Sequence, residues 1–155
     1  MFLREACIEA SAQRFIQQAE RIIQDVDLSL RQKLAAYFQH LGVFFAQISQ
    51  DFMQDLKRSD PQAWALFSTY RRDIVQLHLG QLLEEGAQVG YIRPDANWRL
   101  AVLVFISSIE QLSNPEYVEQ FPDAFRGSVS SQLPERTDQL IQLLLRGLVA
   151  PEYLR

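Results

Sequence analysis

Apolar residues recur along the chain with a period near that of an α-helix. No sustained period-2 alternation and no Asn-Gly or Asp-Gly hairpin turn breaks the pattern. The first helix is predicted from Phe2 to Val26, with Ile8, Ala12, Phe15, Ile16, Ala19, Ile22, Ile23 and Val26 on one stripe. Ser29 is a good N-cap for the second, whose stripe of Leu30, Leu34, Tyr37, Phe38, Leu41, Phe44, Phe45, Ile48 and Phe52 is rich in aromatics. A bend is expected near Ser49-Gln50-Asp51, then a short helix to Lys57. Asp60 and Pro61 open a third long helix, and Gly90 stands where a left-handed C-terminal cap belongs. Gly80 and Gly86 inside it weaken the helix, and close approach of a neighbouring helix is one reason to tolerate them. Asp95 caps a helix from Ala96 to about Leu112 that is apolar on most sides. Asn114-Pro115-Glu116 starts a short helical turn. Residues 121–132, with Pro122, Gly127, Ser128, Ser130 and Ser131, read as loop. Pro134 opens a Leu-rich last helix that Pro151 ends. The sum is an all-α, antiparallel bundle of about five to six helices in one domain spanning 1–155.

Composition narrows the function. At 155 residues the chain is long enough to bury a sizeable core without staples. Its net charge is −4, its lysines Lys33 and Lys57 lie far apart, and its basic pairs Lys57-Arg58 and Arg71-Arg72 each sit near an acid. No basic stripe for nucleic acid exists, so the chain alone is expected to bind DNA poorly. The longest apolar run, Leu100 to Ile106, is far too short for a membrane helix, and the N-terminus has no signal-peptide core. Cys7 is the single cysteine, so no intrachain disulfide forms, which fits a cytoplasmic protein.

Enzyme chemistry finds no residues to carry it. A di-iron bundle needs Glu-x-x-His pairs, and Tyr37 and Val75 stand three residues before His40 and His78. Zinc needs clustered Cys and His. Phosphate loops, nucleophile elbows and dinucleotide fingerprints are absent. A non-enzymatic protein without cofactor is expected.

Binding chemistry has better candidates. Tyr37, Phe44, Trp64, Phe67, Tyr70, Ile74 and Phe105 supply the apolar and aromatic walls that ligand pockets use, although the same side chains serve core packing equally well. His40 lies one turn from Tyr37 and Phe44. Arg71 sits between Phe67 and Ile74, on the same stripe as His78. If Arg71 and His78 point inward together they suit an acidic ligand, since arginine grips planar anions with paired hydrogen bonds. A salt bridge to a nearby acid is the other role open to Arg71. Trp98, Val102, Phe105 and Ile109 against Leu140, Leu144 and Leu148 form either a subunit interface or an internal helix pair. The excess apolar width of both helices favours the interface.

The run Leu77-His78-Leu79-Gly80-Gln81-Leu82-Leu83-Glu84-Glu85-Gly86-Ala87-Gln88-Val89-Gly90, continuing into Tyr91-Ile92-Arg93-Pro94-Asp95, resembles a segment of TetR-like transcriptional regulators that joins the long pocket helix to the first dimerisation helix. The apolar 96–112 helix and the terminal helix ending in Arg146-Gly147-Leu148 resemble that family's two dimerisation helices. Phe2-Leu3-Arg4-Glu5-Ala6, with Ser11-Ala12-Gln13-Arg14-Phe15, is similar to the helix that comes after the DNA-reading head. The resemblance covers most of the chain in order, but the family's helix-turn-helix head has no room before Met1. It implies a homodimeric sensor of a small, hydrophobic or aromatic effector, with a lever helix at 1–26, pocket helices at 29–90 and dimerisation helices at 96–112 and 134–149. Operator DNA would be contacted only through a head absent from this chain. A helical protein-interaction module without a small-molecule ligand is the alternative.

Overall fold

The computed structural model describes residues 2–48 and 50–153. They form an all-α helical bundle: α1 (Phe2–Gln24), α2 (Leu30–Ala46), α3 (Gln50–Ser59), α4 (Pro61–Ile74), a π turn (Val75–Leu79), α5 (Gly80–Gln88), α6 (Trp98–Leu112), the single turns α7 (Pro115–Val118) and α8 (Asp123–Arg126), and α9 (Leu133–Leu148).

Local chemistry explains most boundaries. Ser29 caps α2 in a reciprocal capping box: its hydroxyl accepts from the Gln32 amide at 3.2 Å, and the Gln32 side chain accepts from the Ser29 amide at 2.8 Å. Asp60 accepts from the Ala63 amide at 3.1 Å, and Pro61 sits next to it in the first turn of α4. Gly90 has φ +80°, the left-handed conformation that closes α5. The chain then passes so close under Gly86 that an added Cβ would stand 2.8 Å from Ile92 Cγ1, which explains this glycine. Gly80 has no such neighbour. Its amide instead donates to the Val75 carbonyl and closes the π turn.

Four local expectations are corrected. α1 stops at Gln24, and Val26 lies beyond it, exposed. The third long helix is continuous but not α-helical throughout, because the π turn Val75–Leu79 lies between α4 and α5. Asn97, not Asp95, caps α6: Asn97 Oδ1 accepts from the Leu100 amide at 3.1 Å, whereas Asp95 is drawn into a 2.9 Å ion pair with Arg93. The 121–132 stretch contains the helical turn α8. A short antiparallel bridge between Ile92 and Val149, with the Ala150 amide donating to Tyr91 O at 3.1 Å, ties the α5–α6 connection to the end of α9.

α2 is the spine of the bundle, packed by α1, α6 and α9. Its Leu34, Tyr37, Phe38, Leu41 and Phe45 join Phe15, Ala19, Ile74, Phe105, Ile109 and Ile141 in one core. Gly42 lets α9 come close, since a Cβ there would stand 2.6 Å from Thr137 Cγ2. A smaller cluster of Ile8, Met53, Leu56, Ala63 and Phe67 fastens α3 and α4 to α1. Among the described residues no helix is long and apolar enough to cross a membrane.

Candidate functional site

Between the two clusters α1, α2, α3 and α4 do not close completely. They leave a cavity of about 640 Å³, within the range of small-molecule sites. Each helix offers it one face. α1 contributes Arg4, Cys7, Ile8, Ser11, Ala12, Arg14 and Phe15, a stripe at helical spacing; α2 contributes His40, Val43 and Phe44; α4 contributes Phe67, Tyr70 and Arg71. Gln47, Ile48 and Phe52 complete the wall where the chain turns from α2 into α3.

Phe15 organises the aromatic end. Its ring stacks on His40 at 4.2 Å and 11°, meets Tyr37 edge-on at 6.0 Å and packs on Phe44 at 4.9 Å. His40 is held on its other side by its Nε2, 3.0 Å from the Phe15 carbonyl. A carbonyl only accepts, so Nε2 carries the proton. Burial keeps the His40 pKa below its ordinary value, against that hydrogen bond, so the ring favours the neutral form.

Arg71 is the principal charge inside. Its guanidinium pairs with Glu110 of α6, lies over the Phe45 ring at 5.2 Å and approaches Met53 Sδ at 3.7 Å. Burial raises the Glu110 pKa, and the neighbouring Arg71 charge opposes the rise. The salt-bridge role and the place in the cavity wall, alternatives on the sequence, are both occupied by this one side chain.

Of the expected ligand-binding residues, His40, Phe44, Phe67, Tyr70 and Arg71 therefore meet in one cavity. Tyr37 stands behind them, fully buried, and its hydroxyl donates to the Ile74 carbonyl at 3.1 Å beside the π turn. Ile74 is core, and Phe105 packs edge-on against Phe38 at 4.9 Å on the far side of α2. Trp64 backs Phe67 at 5.9 Å without lining the cavity. His78 is also outside it, with its ring 6.4 Å from Tyr37 and Nδ1 buried without a hydrogen-bond partner among the described residues. The π turn explains the separation. Seven residues make two turns of α-helix and would put His78 on Arg71's face, but His78 lies within the π turn, whose wider winding takes it off the α-helical spacing.

The α1 wall was missed. Arg4, Cys7, Ser11 and Arg14 flank the Ile8-Ala12-Phe15 stripe at spacings of three and four, and that mixed border was the available signal.

The residues named for a subunit interface are mostly packed within the chain itself. Val102 is 3% exposed, and Phe105 and Ile109 are wholly buried in the chain's own core. Leu140 and Leu144 pack at the core's edge, and the side chain of Leu148 lies outside the described residues. Trp98 lines a separate groove of about 700 Å³ between α5 and α6, under the Arg99 guanidinium at 4.2 Å. The apolar side chains that α6 and α9 turn outward are instead Leu100, Leu103, Val104 and Leu143.

Among the described residues no group of three or more His, Cys, Asp or Glu side chains is placed to hold a metal. The fold and the cavity thus define a class, an all-α bundle with a half-open, largely apolar cleft that has arginine and histidine at its wall. Compared with protein-family models, curated proteins and solved structures, the chain matches none.

Proposed function

We propose that the chain is the effector-binding and dimerisation half of a TetR-like transcriptional regulator. The observation that carries this reading is the cavity, bounded on one side by α1 and on the other by the aromatic faces of α2 and α4. A protein-interaction module needs no such space, whereas a sensor needs a ligand site in contact with the element that moves. α1 is the wall that joins the two. Its Arg4 is bound to Asp55 and Ser59 of α3 at 3.2 and 2.9 Å, and its Phe15 backbone carries His40. A ligand between α1 and α4 would alter the seat of α1, provided it binds one seat better than the other. The outward apolar residues Leu100, Leu103, Val104 and Leu143 supply the surface for the second subunit, in place of the buried Val102, Phe105 and Ile109.

Native mass spectrometry of the purified chain tests both parts. A dimer carrying mass beyond two polypeptides supports the sensor. A bare monomer at micromolar concentration refutes the dimer, and failure of the cavity to take any small amphiphile refutes the effector site.

A further inference from the structure

We propose that the cavity takes an amphipathic anion, an apolar body with one carboxylate-like head, and that Arg71 receives the head in competition with Glu110. The inference rests on reading the cavity as an effector site and adds the chemical class of the effector.

The charge of the wall carries it. Three arginines, Arg4, Arg14 and Arg71, line an otherwise mostly apolar space, and no Asp or Glu is among its described lining residues. Their states differ. Arg4 is compensated at the mouth by Asp55, 3.2 Å away. Arg14 has no ion-pair partner among the described residues. Arg71 lies among the aromatics, with a side chain still 31% exposed, and its counter-ion comes from behind: Glu110 belongs to α6, which contributes nothing to the cavity wall. A half-open, largely apolar cleft whose charged lining residues are all arginines, one of them (Arg14) exposed and unpaired among the described residues, favours a ligand that brings one negative charge and a body to cover the rings, and it disfavours a cation.

Arginine suits the exchange, because its fork presents five donors and serves planar oxyanions in pairs. A ligand head at Arg71 places a second anion beside Glu110, whose own charge is already disfavoured by burial. The two carboxylates compete for one guanidinium, so filling the cavity loosens the link between α4 and α6. Because α6 bears the exposed Leu100, Leu103 and Val104, the exchange would carry occupancy to the outer face of the bundle.

Cys7 makes the test local. It is the only cysteine, it is exposed and it lines the cavity, so its reaction with a disulfide reagent such as dithionitrobenzoate reports occupancy there. Decanoate, decanol and decyltrimethylammonium share a tail and differ in head charge. Decanoate is expected to protect Cys7 at concentrations at least about tenfold below decanol, with the ammonium weakest. Glu110→Gln, which keeps shape and removes the competing charge, is expected to tighten decanoate about tenfold, equivalent to about 1.4 kcal/mol, and to leave decanol unchanged. Equal protection by decanoate and decanol, or no effect of Glu110→Gln on decanoate, overturns the anionic class and leaves the effector cavity standing. Protection by none of the three overturns the effector site itself.

Discussion

Replacing Phe105 and Leu103 by alanine, one at a time, separates the two faces of α6. The residues are two positions apart on a helix that is apolar nearly all round, yet Phe105 is fully buried and Leu103 is 61% exposed. Phe105 meets the Phe38 ring edge-on at 4.9 Å and is fully buried between α2 and α6. Phe→Ala at such a site costs about 3–5 kcal/mol, the transfer of the ring plus the cavity left behind. Against a total stability of roughly 5–15 kcal/mol, that is a large fraction. Leu103→Ala removes side-chain atoms that already face water in the single chain and should shift the subunit's own stability by no more than about 0.5 kcal/mol. Urea unfolding monitored by far-UV circular dichroism, repeated over a hundredfold range of protein concentration, distinguishes the effects. Phe105→Ala lowers the midpoint at every concentration. Leu103→Ala, or the stronger Leu103→Glu, removes the concentration dependence that the proposed dimer would impose and leaves the dilute-limit midpoint in place. A loss below about 1 kcal/mol for Phe105→Ala, or an equal loss at all concentrations for Leu103→Ala, would refute the assignment of the two faces.

Other perturbations address the caps, the close helix crossing and the buried imidazole. Asn97→Ala should cost about 0.5–2 kcal/mol in thermal or urea unfolding, while Asp95→Ala costs much less, because Asn97 and not Asp95 satisfies the Leu100 amide. Gly42→Ala gains helix propensity but drives a methyl to 2.6 Å from Thr137; a net loss of about 1–3 kcal/mol is expected, and a stabilised variant would show that α2 and α9 are not so close. His40 prefers the neutral form when folded, so the unfolded chain protonates first. Stability is therefore full above the ordinary histidine value of 6.5, falls as pH drops through it and levels off below the lowered folded value. His40→Gln should flatten that fall between pH 8 and 5. Glu110, raised by burial, acts in the opposite sense, favouring the folded state in acid and losing that contribution as pH rises above 4.5. It is common to both proteins, so the difference between them isolates His40.

The sequence by itself determined the all-α class and most helix boundaries, because those are settled within a few residues of each end. Ser29 with Gln32, Asp60 with Pro61, and Gly90 act on amides and dihedrals beside them in the chain. Five pocket residues, His40, Phe44, Phe67, Tyr70 and Arg71, were legible for a similar reason: helical spacing puts His40 with Phe44, and Phe67 with Tyr70 and Arg71, on single faces. Tertiary structure decided the rest. Periodicity cannot say which sector of an apolar helix its own chain will cover, so Val102, Phe105 and Ile109 on α6 became core and Leu100, Leu103 and Val104 became surface. It cannot foresee one extra residue in a turn, so His78 left the face of Arg71 at the π turn. Nor does local pattern choose partners across 39 residues of chain, the separation of Arg71 and Glu110. Only the tertiary fold brings that guanidinium of α4 and that carboxylate of α6 together, because the pairing depends on how separate helices are seated in the bundle and not on spacing along either one.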